Sequence, residues 1–196
     1  MASYKPNIDD IRLIICFQGY DLNYHFILRE IGYWYNKNYG TIPFNCKINK
    51  NNLDIRNRNK ILEAELIHGI KQKNVTDFGL TMCEIKSVLK TLYHMAGTDN
   101  PNAKFIGICR EEKTIGFLYK AGLGTYATYL DLIELSTKKQ ISFPTKEEIE
   151  IKIKNDDNQN KLCQLHDKSI CNSLICSGLK AKCIGEFLLD INNNKI

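Results

Sequence analysis

The densest chemistry in the chain lies in a short stretch late in the sequence. Cys163 and His166 form a Cys-x2-His pair, and Cys171 follows with four residues between it and His166. Thiolates and imidazole nitrogens bind zinc at about 2.3 and 2.0 Å, and donors of this softness select zinc over magnesium. Two donors so close can grip one ion from a tight turn, and the spacing therefore predicts a bound zinc ion. Three donors leave a tetrahedron open. A fourth is expected from a distant residue or from water, with Glu30, His68, Cys176 and Cys183 as candidates. The competing explanation is chance, because the chain has 8 cysteines and Cys-x2-His is a short pattern.

Glu30 sits in the apolar run Ile27-Leu28-Arg29-Glu30-Ile31. A carboxylate in such a run must be exposed or paired. In a regular strand Arg29 points to the opposite face, so it makes a poor partner. A metal ion is a fitting one, and an outward-facing surface glutamate is the plainer alternative. A second charged feature is basic. Lys47, Lys50, Arg56, Arg58 and Lys60 stand against Asp54 alone. Such a segment suits contact with the phosphates of RNA, whereas the plainer reading is a solvated lysine-rich face. Tyr33, Trp34 and Tyr35 are candidates for stacking on bases, against ordinary core packing.

Catalytic signals are sparse. A two-metal nuclease needs carboxylates that bridge both ions. Where such enzymes carry an Asp-x-Glu pair on the first strand, this chain has Cys16-Phe17-Gln18. Neither a thiol nor an amide is a hard anionic ligand for magnesium. Glu111 and Glu112 fit the N-terminus of a helix, where acids are stabilising, and Asp131 and Glu134 fall on opposite faces of a strand. There is no Gly-x-Ser-x-Gly elbow and no phosphate-binding glycine loop. Magnesium-dependent exonuclease activity is not expected.

These residues need elements to position them. Residues 10–17 form an apolar run expected to be a buried strand, and 18–23 a turn. Tyr24 to Tyr35 reads as a second strand, Asn36 to Gly40 as a turn, and Thr41 to Ile48 as a third strand. Residues 49–80 are polar, with a short helix near Ile61 to Leu66. Thr81 and Glu84 form a capping box for a helix that stops near Gly97. Phe105 to Cys109 is a strand, Glu111 to Lys120 a helix and Thr128 to Glu134 a strand. Residues 144–161 read as loop with a weak helix, and Ile170 to Asp190 as one long final helix. The expected fold is α/β. A mixed sheet of about five strands, three in an antiparallel meander and two parallel, is flanked by helices. This element order resembles the ribonuclease H-like fold.

The 196 residues suit one domain, with 43% hydrophobic and 25% charged residues and a formal net charge of +5. No run approaches the roughly 20 apolar residues that cross a bilayer, so no membrane partner is expected. The first residues show no apolar signal stretch. An intracellular location, cytoplasmic or nuclear, follows as the expectation, with cysteines as thiols or metal ligands.

Arg29-Glu30-Ile31-Gly32 on the second strand, then Gly40-Thr41-Ile42-Pro43 and His68-Gly69-Ile70, and finally Cys163-x2-His166-x4-Cys171 before the last helix resemble the Maelstrom domain. That family is a divergent relative of proofreading-type 3′–5′ exonucleases. The resemblance implies a zinc site made by Glu30, Cys163, His166 and Cys171. The interval between His166 and Cys171 is short for the family. The resemblance further implies binding of single-stranded RNA, in RNA silencing or RNA metabolism. Metal-independent RNA cleavage is a further implication, to which no residue is assigned. A protein-interaction module on an inactive nuclease fold is the alternative.

Overall fold

The computed structural model describes residues 11–22, 25–45, 48, 50–68, 79–97, 105–108, 112–129, 145, 147–148, 151, 155 and 176–192. Five strands are described: β1 (Ile11–Leu22), β2 (His25–Tyr35), β3 (Asn38–Pro43), β4 (Phe105–Ile108) and β5 (Ala127–Tyr129). Four helices are bounded among the described residues: α1 (Ile55–His68), α2 (Met82–Gly97), α3 (Glu112–Lys120) and α4 (Ser177–Asn192). The strands make one mixed sheet in the order β3-β2-β1-β4-β5. β1, β2 and β3 are antiparallel neighbours, and β4 and β5 run parallel to β1.

β1 is a middle strand covered on both faces, which is why it is nearly continuous in apolar residues. Leu13 and Ile15 join Leu89, Leu92 and Ala96 of α2 and Leu118 of α3 in one cluster. Ile14 and Cys16 turn the other way, and with Trp34 they meet Ala181, Ile184, Phe187 and Leu188 of α4. Each such aliphatic side chain stabilises by about 1.5–3 kcal/mol when fully buried.

β1 continues to Leu22, through most of the turn expected at 18–23. A register shift between Gln18 and Gly19 leaves Arg29 as the extra residue of a β-bulge. A Cβ at position 19 would collide with the Ile27 carbonyl, so glycine is required there. Beyond the bulge, Tyr20 and Leu22 pack on Ile61 of α1. The Arg29 guanidinium lies 4.4 Å from the Tyr20 ring centroid, and the Tyr20 hydroxyl donates to Glu65 of α1 at 3.0 Å.

The turn expected over 36–40 is only two residues long. Asn36 and Lys37 have φ of 45° and 66°, the paired positive values of a tight type I′ hairpin, and β3 begins at Asn38. β3 ends at Pro43, short of Ile48. The short helix expected at 61–66 is the full α1, opened by Asp54, whose Oδ1 accepts the Asn57 N–H at 2.7 Å. The capping box of α2 forms as expected: Thr81 N–H and Oγ1 donate to Glu84 Oε2, each at 2.7 Å. A second box joins Thr145 and Glu148, with Thr145 N–H donating to Glu148 Oε2 at 2.7 Å. Gly122, at φ 76°, ends α3.

The final helix differs from the reading of 170–190 as one continuous element. Cys176 lies outside it, and Ser177 is its first residue.

Candidate functional site

Glu30 is 0% exposed, on the side of the sheet that carries α4. Across the sheet it faces Gln18 on β1 and Pro43 on β3. The surface-glutamate alternative is therefore wrong. Its Oε1 accepts the main-chain N–H of Ser177 at 2.9 Å. The first N–H groups of a helix have no intrahelical acceptor, and the helix dipole places positive charge there. α4 has no acid in its own first turn. Glu30 supplies that charge from a strand, and the helix start offsets part of the cost of burying a carboxylate.

Cys176 is the cap residue of α4, since its carbonyl accepts the Lys180 N–H at 3.0 Å. The thiol is buried, with its residue 1% exposed, and lies 3.1 Å from Thr41 Oγ1. Thr41 pairs with Gly32, which is two residues beyond Glu30 on β2. Glu30, Thr41, Cys176 and Ser177 thus gather where α4 begins.

Glycines make that approach possible. A Cβ on Gly32 would strike the main chain of Ser177, and one on Gly178 would come within 2.6 Å of the Gly40 carbonyl oxygen. Further along, Gly185 receives the Trp34 ring face. Helix and sheet meet backbone to backbone, which fixes the Cys176–Ser177 segment over Glu30.

Cys163, His166 and Cys171 lie outside the described residues. Of the four candidates for a further ligand, Glu30 and Cys176 are brought to the same helix start. Cys183 is elsewhere, in the middle of α4 and buried. His68 is the last residue of α1. Among the described residues no three His, Cys, Asp or Glu side chains gather as a metal-binding group.

The basic segment is divided. Lys47 lies outside the described residues, and Lys50 opens a single 3-10 turn, Lys50–Asn52. Arg56 is exposed and Lys60 half-buried on α1. Arg58 is engaged locally: its Nε donates to the Leu53 carbonyl at 2.9 Å and an Nη to the Asn51 carbonyl at 3.3 Å. It ties α1 to the turn before it.

The aromatic trio is core rather than surface. Trp34 and Tyr35 are buried, and Tyr33 is half-buried with its ring stacked on Tyr35 at 6.2 Å. Burial and the neighbouring Tyr35 raise the Tyr33 phenol above its ordinary value. Trp34 and Tyr35 are closed to bases. At the place of a first-strand catalytic pair, Cys16 is 2% exposed inside the apolar cluster under α4. Ser177 and Gly178 were not singled out by sequence reasoning. The signal available was the run of small residues around Cys176, facing Gly32 and Gly40.

No helix among the described residues is long and apolar enough to cross a membrane. No protein-family model, curated protein or solved structure gives a significant match to the chain.

Proposed function

We propose that this chain is a zinc-braced, catalytically degenerate domain of ribonuclease H-like type, similar to the Maelstrom domain, that binds single-stranded RNA. One observation carries the reading: a fully buried carboxylate on β2 is held by the first residue of the last helix, whose neighbour in sequence is a buried cysteine. The strand order β3-β2-β1-β4-β5, antiparallel then parallel, supports the same reading.

The donors fit zinc. A carboxylate and a thiolate are both zinc ligands, and burial lets the ion offset two desolvated anions at once. Glu30, Cys163 and His166 supply three positions. The resemblance offers Cys171 for the fourth, but Cys176 is the cysteine that adjoins the residue bonded to Glu30, and we assign it in place of Cys171. Four protein donors close the tetrahedron, so the ion would brace the segment before α4 rather than activate water. Lys47, Lys50, Arg56 and Lys60 are the phosphate contacts in this reading.

Metal analysis of purified protein by mass spectrometry tests the centre. One zinc per chain is expected, retained in Cys171→Ser and lost in Cys163→Ser and Cys176→Ser. Metal-free protein whose melting is untouched by chelator sinks the zinc reading. A salt titration of labelled single-stranded RNA tests the RNA reading.

A second reading, a protein-interaction module, is favoured by a separate observation. α1 exposes Ile55, Leu62 and Leu66 to 78%, 52% and 57%.

A further inference from the structure

The three exposed aliphatics of α1 are not scattered. Ile55, Leu62 and Leu66 recur at i, i+7 and i+11, which places them on one stripe with Asn59 between them. The opposite side of the helix holds Ile61, 0% exposed against Tyr20 and Leu22. α1 is therefore apolar on two sides, and only one is covered by its own sheet.

The charges of α1 are polarised along its axis. Arg56, Arg58 and Lys60 occupy the first half, and Glu63 and Glu65 the second. This opposes the macrodipole, which favours acids at the start of a helix and cations at its end. Within the chain Arg56 and Glu63 have no ion-pair partner among the described residues. A neighbour running the other way would place an acidic half over each basic half.

We propose that α1 is a self-association surface, on which two copies of the chain pair antiparallel across Ile55, Asn59, Leu62 and Leu66. The proposal rests on the interaction reading and is independent of zinc. A two-fold axis passing beside Lys60 and Ile61 sets Ile55 against Leu66 of the second copy, and Asn59 against Leu62. On an α-helix Arg56 and Glu63 share one flank of the stripe, and Arg58 and Glu65 share the other. Two-fold symmetry brings each flank to its own equivalent. Arg56 then meets Glu63 of the second copy, and Arg58 meets Glu65. Each pair lies within about 3 Å of level along the axis. Arg58 is already oriented by the Leu53 and Asn51 carbonyls, and Glu65 by Tyr20.

One helix pair buries on the order of 1,000 Å², the lower end for specific interfaces, so a weak, concentration-dependent dimer is expected. Sedimentation velocity of the full chain without RNA, from low to high micromolar concentration, tests it. Wild type is expected to shift from monomer to dimer. Leu62→Glu, at an exposed site and therefore folded by circular dichroism, stays monomeric. Arg56→Glu weakens the dimer by about tenfold, because two symmetric ion pairs become repulsions. Adding Glu63→Arg restores it. Wild type that remains monomeric throughout, or a Leu62→Glu variant that still dimerises, overturns the proposal. Failure of Glu63→Arg to rescue Arg56→Glu overturns the antiparallel register. Whether the same variants lose RNA binding is read separately, since Arg56 is also a phosphate contact in the RNA reading.

Discussion

Glu30 and Ser177 are 147 positions apart in the chain, and the carboxylate of the first accepts the main-chain N–H of the second at 2.9 Å. This bond joins a strand of the antiparallel half to the last helix. Glu30→Ala should cost about 3 kcal/mol in urea unfolding, because it orphans a buried donor and leaves a cavity. Glu30→Gln keeps an acceptor oxygen and should cost about 1 kcal/mol through the lost charge at the helix start. If zinc is bound there, both variants also shrink the chelator-induced fall in melting temperature seen in wild type.

Gly32→Ala should be severe, at about 3 kcal/mol or more, since the new methyl meets Ser177 main chain that cannot move without undocking α4. Gly185→Ala meets the Trp34 ring and should destabilise in the same direction. Gly116 is the control. A Cβ there has nothing within 4 Å, and Gly116→Ala in the middle of α3 should gain about 0.5–1 kcal/mol. Thermal melts of the three variants check the contrast.

The Thr81–Glu84 box gives an acid-side dependence. Thr81, through its hydroxyl and then its N–H, holds the Glu84 carboxyl below the usual carboxylate value. A carboxyl with a lowered folded value adds stability above its unfolded value and loses it as pH falls through the folded one. The difference in melting temperature between wild type and Glu84→Gln should therefore be present at neutral pH and disappear in acid. Thr81→Ala should cost about 1 kcal/mol through loss of the cap.

Magnesium- or manganese-dependent removal of 3′ nucleotides should be absent on end-labelled RNA and DNA. Cys16 is enclosed by Ile14, Trp34 and α4, and the amide of Gln18 is neutral, so the first strand cannot anchor two hard cations. Metal-dependent loss of the 3′ end that disappears in Glu111→Gln or Asp131→Asn would show a site assembled elsewhere.

Lys47→Glu combined with Lys50→Glu should weaken RNA binding across sequences and lower the salt slope by about one per lysine. Arg58→Ala should act differently, lowering thermal stability by freeing the Leu53 and Asn51 carbonyls while leaving the slope nearly unchanged.

Local chemistry was legible in the sequence, and the contacts that override it were not. The Thr81–Glu84 box could be read because both partners lie within one helical turn. Gly19 and Gly40 looked like turn residues, but a Cβ at the first would strike the Ile27 carbonyl beside the bulge and one at the second the Tyr33 ring of the paired strand. Both roles depend on how β2 pairs with its neighbours. Arg58 groups with the basic segment, and its bonds to the Leu53 and Asn51 carbonyls are invisible to a charge count. For Trp34 and Tyr35 core packing is the plainer expectation beside base stacking, and the packing of α4 and α2 on them bears it out. For the site, Glu30 could be singled out as a charge in an apolar run. That Cys176 adjoins the residue whose N–H Glu30 accepts depends on how tightly α4 docks.

The backbone contact between α4 and the sheet also orders events during synthesis. Every described strand precedes α4 in the chain, so β1, β2 and β3 leave the ribosome with Ile14, Cys16 and Trp34 uncovered. Glu30 meanwhile has no helix start to receive it. The nascent chain must keep this half-finished sheet from pairing with others until Ser177–Asn192 emerges. Among the described elements, completion of the fold thus coincides with arrival of its last helix.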